Sequence, residues 1–379
     1  MVIGLNLLYV LPGRVGGTET YAAGLLHGFA GIAGSDQFFV YVSREAADWP
    51  LPAGPRFRRV ICPVDASFRV ARYRYEQTQL PARLGADGVH LLHSLGYVAP
   101  LRLPCPSVVT VHDVHHRAYG SPWSWPRRML LEFFVSQSVR RAAAVIAVSR
   151  FSRDEIAQAY GVAARQIDVV LEAPKPRSEA LALPAGPSPL VRRGVGGRYL
   201  LAFGGLQPNK NLPRLVQAFR TARRQSGLEQ ELVIVGRLPA GLRLRRGDGV
   251  VTTGYLDDAD VAAALRCADA LVFSSTYEGF GLPVLEAMAA GVPVACSNVT
   301  AMPEVAGDAA LYFDPESVDD MTRKIGDISL NESLRMELRA KGLARAADFT
   351  WEKSARETMA IYRRVLDTTS SRKRHPISV

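Results

Sequence analysis

Short apolar runs alternate with helix-like segments along almost the whole chain, the pattern of parallel strands joined by crossover helices. In the first half the pattern predicts strands over Val2–Val10, Phe38–Val42, Val89–His93, Ser107–Val111, Ala144–Val148 and Ile167–Leu171. A helix beginning near Thr18 joins the first two. Ser152 and Glu155 are spaced as a capping box, which predicts a helix start at Ser152 and places Ser149 in the turn before it. Pro174, Pro176, Pro184, Pro187 and Pro189 then crowd together with several glycines, which suits a linker and not a packed element. The alternation restarts with Tyr199–Phe203, Leu232–Val235, Val250–Thr253, Ala270–Phe273, Val292–Ala295 and Ala310–Phe313, and the pattern is helical from Val318 to about Leu366. The fold class is therefore α/β, with two doubly wound parallel-sheet domains. Residues 1–175 form the first, 176–197 the linker, 198–350 the second, 351–366 a last helix, and 367–379 a polar, basic tail read as disordered.

With 379 residues the chain can bury two ordinary cores. No run of 18 apolar residues exists; the most apolar helix candidate, Met129–Val135, is broken by Glu132, so no bilayer-spanning segment is expected. The N-terminus starts in a strand-like run without the basic start or cleavage site of a signal peptide, and the expected location is cytoplasmic. Cys62, Cys105, Cys267 and Cys296 lack the paired spacing of a zinc or redox site and are expected to be reduced. The net charge of +10 is uneven: residues 56–141 hold thirteen Arg against five acids. Arg69, Arg72, Tyr73, Arg74 and Tyr75, then Trp123, Trp125, Arg127 and Arg128, mix cations with interfacial aromatics. Such a zone is either an ordinary solvated face or one that rests on anionic lipid headgroups at the inner face of the cell membrane. Nucleic acid is not expected, since no recognised binding module accompanies the charge.

The chemistry concentrates in Tyr277-Glu278-Gly279-Phe280-Gly281-Leu282-Pro283-Val284-Leu285-Glu286-Ala287-Met288-Ala289-Ala290-Gly291. Pro283 suits the first helical position of a short helix and Gly291 the position past its end. The glycines before that helix let a ligand approach backbone N–H groups at the positive end of the dipole, which makes an anion site. Glu278 and Glu286 would repel a phosphate but can accept hydrogen bonds from hydroxyls on the molecule that carries it. Lys210 follows a strand in a Gly-Pro-Asn turn, and with only six Lys against forty Arg it marks a place for a compact charge, assigned to a diphosphate. Asp258-Ala259-Asp260 precedes an apolar helical run and reads as a cap with a first-turn acid, not as a metal pair.

The Glu, seven residues, Glu spacing around Gly-Phe-Gly-Leu-Pro resembles the signature of the retaining GT-B glycosyltransferases of family 4. The resemblance continues in Gly204-Gly205-Leu206-Gln207-Pro208-Asn209-Lys210-Asn211-Leu212 and in the run from Met302 to Ala310. In the first half it extends through Gly16-Gly17-Thr18-Glu19, Val111-His112-Asp113 and Val145 to Ser152. It implies two Rossmann-like domains facing a central cleft, the first on the acceptor side, the second binding a nucleoside diphosphate sugar, and the last helix crossing back to the first. It further implies that Glu278 holds sugar hydroxyls, that His112 and Asp113 join it at the reacting sugar, and that Glu286 holds ribose hydroxyls. Phe280, Gly281 and Leu282 would offer N–H groups at the helix start, Gly16 and Gly17 would face the diphosphate, and Gly205 and Tyr255 would complete the donor site. Many relatives carry an Arg where Gly204 and Gly205 stand, which leaves the second phosphate cation open, with Arg237 a candidate. No protein nucleophile, cofactor or metal is expected, the nucleotide sugar being a co-substrate. The run Pro303 to Asp308 is similar to mannosyltransferases using GDP-mannose; UDP-glucose and dTDP-rhamnose stay open as donors. The acceptor is expected to be a glycan, lipid-linked. A non-catalytic nucleotide-sugar sensor is the alternative, while a dinucleotide oxidoreductase lacks its Gly-x-Gly-x-x-Gly turn here.

Overall fold

The computed structural model describes residues 1–118, 125–175, 190, 195–245 and 247–374. The chain divides into two compact units, Met1–Glu172 with Thr350–Val379, and Ala173–Phe349. Most of the expected linker, including Pro176, Pro184, Pro187 and Pro189, lies outside the described residues, as do Trp123 and the end of the tail.

In the first unit seven strands form one parallel sheet: β1 Val2–Asn6, β2 Gln37–Val42, β3 Phe57–Ile61, β4 Leu91–Ser94, β5 Ser107–Val111, β6 Ala144–Ala147 and β7 Ile167–Val169. Their order is β3-β2-β1-β4-β5-β6-β7. The helices are α1 Gly17–Gly31, α2 Arg69–Thr78, α3 Leu80–Ala86, α4 His115–Ala118, α5 Trp125–Arg141 and α6 Arg150–Tyr160. The predicted strands are present, and β3 is additional. It lies at the sheet edge, so Arg58 and Arg59 can stand in solvent, and Arg58 covers the Phe39 ring at 4.9 Å. An edge strand with two arginines lacks the continuous apolar run that marks a buried parallel strand. β1 ends at Asn6, whose Oδ1 accepts the Leu8 N–H at 3.2 Å and turns the chain.

The second unit repeats the plan with β8 Tyr199–Phe203, β9 Glu231–Val235, β10 Val250–Gly254, β11 Ala270–Phe273, β12 Val294–Ser297 and β13 Leu311–Phe313, in the order β10-β9-β8-β11-β12-β13. Its helices are α7 Leu212–Ser226, α8 Asp258–Arg266, α9 Leu282–Ala289, α10 Met302–Ala306, α11 Val318–Leu330 and α12 Glu332–Ala347. α7 and α11 bury Leu215, Phe219, Met321 and Ile325 against the sheet, all fully enclosed. In both sheets the strand order reverses beside the first strand, at β1/β4 and at β8/β11, and such reversals open a crevice at the C-terminal strand ends.

Three local expectations need correction. Ser149, not Ser152, caps α6, its side chain accepting the Ser152 N–H; Ser152 is one turn further in and its Oγ donates to the His112 carbonyl at 2.9 Å. The cap of α8 is likewise Asp257, which accepts from the Asp260 N–H, so Asp258 belongs to the first turn. The final helix, α13 Trp351–Arg374, continues past Leu366 into the segment read as a disordered tail. There Thr368, Thr369 and Ser371 return their hydroxyls to carbonyls four residues earlier, which satisfies them within the helix.

α13 packs on α1 through two glycines. A Cβ at Gly24 would lie 2.0 Å from the Trp351 indole, and one at Gly28 only 2.1 Å from the Trp351 carbonyl oxygen. Further along α13, buried Tyr362 meets His93 Nδ1 with its hydroxyl at 2.5 Å. No helix among the described residues is long and apolar enough to cross a membrane.

Candidate functional site

In the second unit the candidate residues collect at the strand ends flanking the β8/β11 reversal. Lys210 follows β8 and Glu278 follows β11; the ammonium and the carboxylate meet at 2.7 Å, each side chain about one-fifth exposed (23% and 19%). Lys210 also stands over the Phe273 ring at 5.4 Å. The two turns are stitched together: Asn209 Nδ2 donates to the Tyr277 carbonyl at 2.8 Å, the Thr276 N–H to the Asn209 carbonyl at 2.8 Å, and Ser274 Oγ to the Lys210 carbonyl at 2.9 Å. Asn211 at φ 55° starts α7 and anchors it through Pro315. These bonds hold the Lys210 backbone, so its ammonium is aimed by structure and not by chance.

The helix start expected after Gly281 forms, as α9. Gly281 is the cap, at φ 106°, and a Cβ there would meet the Met302 methyl at 2.3 Å, so only glycine fits. Leu282 is the first helical residue and Pro283 the second; Phe280 is buried before them. Gly205 leaves the space that Lys210 Cγ occupies, 3.1 Å from where its Cβ would be. Arg237 is exposed after β9, and its carbonyl packs at the position a Gly204 Cβ would need, 2.8 Å away. Tyr255, directly after β10, is 71% exposed. Glu286 is half-buried one turn into α9 and lines a cavity of about 400 Å³ with Lys175, Asp258, Arg266 and Arg339. The structure thus brings Gly205, Lys210, Glu278 and the start of α9 together, with Glu286 on the helix flank.

In the first unit Gly16 caps α1 at φ 62°, with nothing within 4 Å of an added Cβ, and Gly17 is the first helical residue. Glu19, part of the same motif, accepts the Gly13 N–H at 3.0 Å and the Trp49 indole N–H at 3.1 Å, which ties the approach loop to α1. Asp113 is occupied by its own turn: Oδ1 accepts the His115 N–H at 3.0 Å and Oδ2 the Tyr97 hydroxyl at 3.3 Å. Tyr97 itself has φ 65°, a conformation a bulky residue adopts only under constraint.

His112 directly follows β5 and is buried. Its Nδ1 lies 3.1 Å from Glu172 Oε1 and its Nε2 2.9 Å from the Leu95 carbonyl. Burial disfavours the charged ring, but the hydrogen bond and charge of Glu172, helped by the Leu95 carbonyl and Asp113, outweigh it and raise the pKa above its ordinary value. His93 goes the other way, down to about 3, through burial and then the charge on His112. Glu172 was missed in the sequence. The available signal was an acid placed directly after the apolar run Val169-Val170-Leu171, at the end of a parallel strand.

Glycosyltransferase Family 4 matches residues 15–171 and Glycosyl transferases group 1 matches residues 192–345. The chain is 33% identical over 289 residues to the O-antigen chain mannosyltransferase B of Escherichia coli, spanning 72% of this chain and 74% of that protein. It is 26% identical over 318 residues to the serotype-specific mannosyltransferase WbdA of Escherichia coli, spanning 76% of this chain but 38% of that protein. Sucrose-phosphate synthase from Thermosynechococcus elongatus shares the fold, with a TM-score of 0.73 at 19% identity over 97% of this chain and 100% of that one.

Proposed function

The chain belongs to the family 4, group 1 glycosyltransferases, and from that premise we propose that it moves a hexose, mannose from GDP-mannose, onto a growing glycan with retention at the anomeric carbon. The observation that carries this reading is the Lys210–Glu278 pair at 2.7 Å beside the start of α9. A diphosphate competes with Glu278 for the ammonium and takes N–H donors from the helix start, where charge develops as the anomeric bond breaks. Glu278, released from Lys210, then accepts from hydroxyls of the transferred sugar, and Glu286 takes those of the ribose. The leaving phosphate helps to deprotonate the acceptor hydroxyl on the same face, so no protein nucleophile takes part. The relatives described as mannosyltransferases of O-antigen chains favour mannose and a polysaccharide acceptor.

The acceptor is proposed to be lipid-linked and met at an anionic membrane surface. α5 exposes Trp125, Met129 and Phe133 at four-residue spacing, along one helix face, and α2 begins beside exposed Phe68 and Val70. The two helices touch through Tyr73 and Phe134, whose rings lie 5.1 Å apart, and Arg69, Arg74 and Arg128 belong to the same elements.

The deciding experiment is calorimetry of GDP-mannose, UDP-glucose and dTDP-rhamnose, with and without EDTA, followed by product analysis with a labelled donor. Metal-independent binding of GDP-mannose and an α-linked product are expected. Binding of another donor would replace the sugar; tight binding without turnover on any glycan would make the protein a sensor.

A further inference from the structure

Both ring nitrogens of His112 face groups that only accept hydrogen bonds, the Glu172 carboxylate at 3.1 Å and the Leu95 carbonyl at 2.9 Å. A neutral imidazole has one N–H and satisfies one of them; an imidazolium has two and satisfies both. Glu172 is 4% exposed and His112 6%, so neither charge has water to fall back on if the other is removed. The ring is fixed further by the edge of Tyr21, centroids 4.8 Å apart at 86°, and by Tyr97 at 5.5 Å. Its backbone is fixed by Ser152 Oγ, and the carbonyl of Leu171, next to Glu172, accepts from Ser354 Oγ of α13 at 2.6 Å. A ring with both N–H groups spent and its orientation set from several sides cannot collect a proton from a substrate.

We propose that Glu172 is a positioning residue that keeps His112 as a fixed, doubly protonated cation at the end of β5, so that this histidine works as a charge and not as a base. The inference rests on the glycosyl-transfer reading only for what the cation favours, the negative charge that develops as the anomeric bond breaks. The groups facing the ring are Glu172 after β7, Asp113 beside it in the chain, Tyr21 from α1, Tyr97 from the turn after β4, and His93 on β4. His93, held neutral, offers no competing proton site. Since the His112 pKa lies above its ordinary value, the cation is held to higher pH than a free imidazolium and is lost as pH rises through that raised value.

The test uses the full chain labelled with ¹⁵N-histidine. Long-range nitrogen–proton spectra, with His112 assigned by its loss in His112→Gln, are expected to show both ring nitrogens protonated at neutral pH in the wild type. Glu172→Gln, isosteric but uncharged, should turn His112 into a neutral tautomer at the same pH. It should move the high-pH fall of kcat to lower pH and lower kcat about tenfold, less than the ~10²-fold loss of a direct donor, with donor KM unchanged. Glu172→Asp, which keeps the charge, should restore the position of the pH limb. A single protonated nitrogen in the wild type would overturn the proposal, and so would an unmoved pH limb in a Glu172→Gln protein that is folded by circular dichroism. The spectra need no donor, so an imidazolium in a protein that transfers no sugar would support the Glu172 role and sink the transfer reading alone.

Discussion

Replacing Glu278 by Gln separates two roles that the wild-type side chain combines. In the free protein its carboxylate holds the Lys210 ammonium at 2.7 Å. Coulomb's law gives about 1.5 kcal/mol for that separation at the permittivity of water and about 6 kcal/mol at an effective value of 20. Desolvation and side-chain ordering cancel most of it, and with both groups one-fifth exposed the net is about 1 kcal/mol. A diphosphate must overcome this to reach Lys210. Glu278→Gln keeps the shape and removes the competing charge, so GDP alone should bind about fivefold more tightly, the equivalent of about 1 kcal/mol. GDP-mannose should not share the gain, because its sugar hydroxyls lose a charged acceptor worth about 1.5–3 kcal/mol, and turnover should fall more than tenfold. Titration calorimetry of GDP and GDP-mannose at low and high salt reads both effects, and the GDP gain should shrink with salt as screening weakens the pair in the wild type. GDP binding that is unchanged or weaker in Glu278→Gln would refute the competition, particularly if Lys210→Ala also left GDP binding intact.

Three other outcomes follow from named contacts. Glu286→Ala should weaken donor binding about tenfold, the loss of a charged hydrogen-bond acceptor, with the circular dichroism spectrum unchanged; equal affinity would remove its ribose role. Gly28→Ala would place a Cβ 2.1 Å from the Trp351 carbonyl oxygen, a backbone atom that cannot swing aside, so α1 and α13 must part. A loss of about 1–3 kcal/mol, seen as a lower Tm, is expected, and a wild-type Tm would show that the helices have slack. Trp125→Ser with Phe133→Ser should reduce sedimentation with vesicles containing anionic phospholipid while leaving soluble-donor binding alone; undiminished sedimentation would return that face to ordinary solvated surface.

The sequence was most legible where one stretch of chain carries a whole decision. Buried parallel strands are short apolar runs, so the strands of both sheets could be read in order, whereas β3 could not, because an edge position lets Arg58 and Arg59 stand in solvent. Gly281 and Pro283 announced the start of α9 by local backbone preference alone. Caps were legible only to within a turn: Ser149 and Ser152 are both capable residues, and the choice fell to Ser149 because Ser152 was drawn to the His112 carbonyl, 40 residues away in sequence.

What the sequence by itself determined is therefore the class of fold and the family, and it singled out Lys210, Glu278, Glu286 and His112 as candidates, since each rests on spacing within a short segment. Only the tertiary structure decided that Lys210 is already paired with Glu278, 68 residues on, and that His112 is clamped by Glu172, 60 residues on. The physical reason is that a charge state depends on the groups brought within a few ångströms and on the water excluded around them, and parallel sheets assemble those neighbours from strands far apart in the chain.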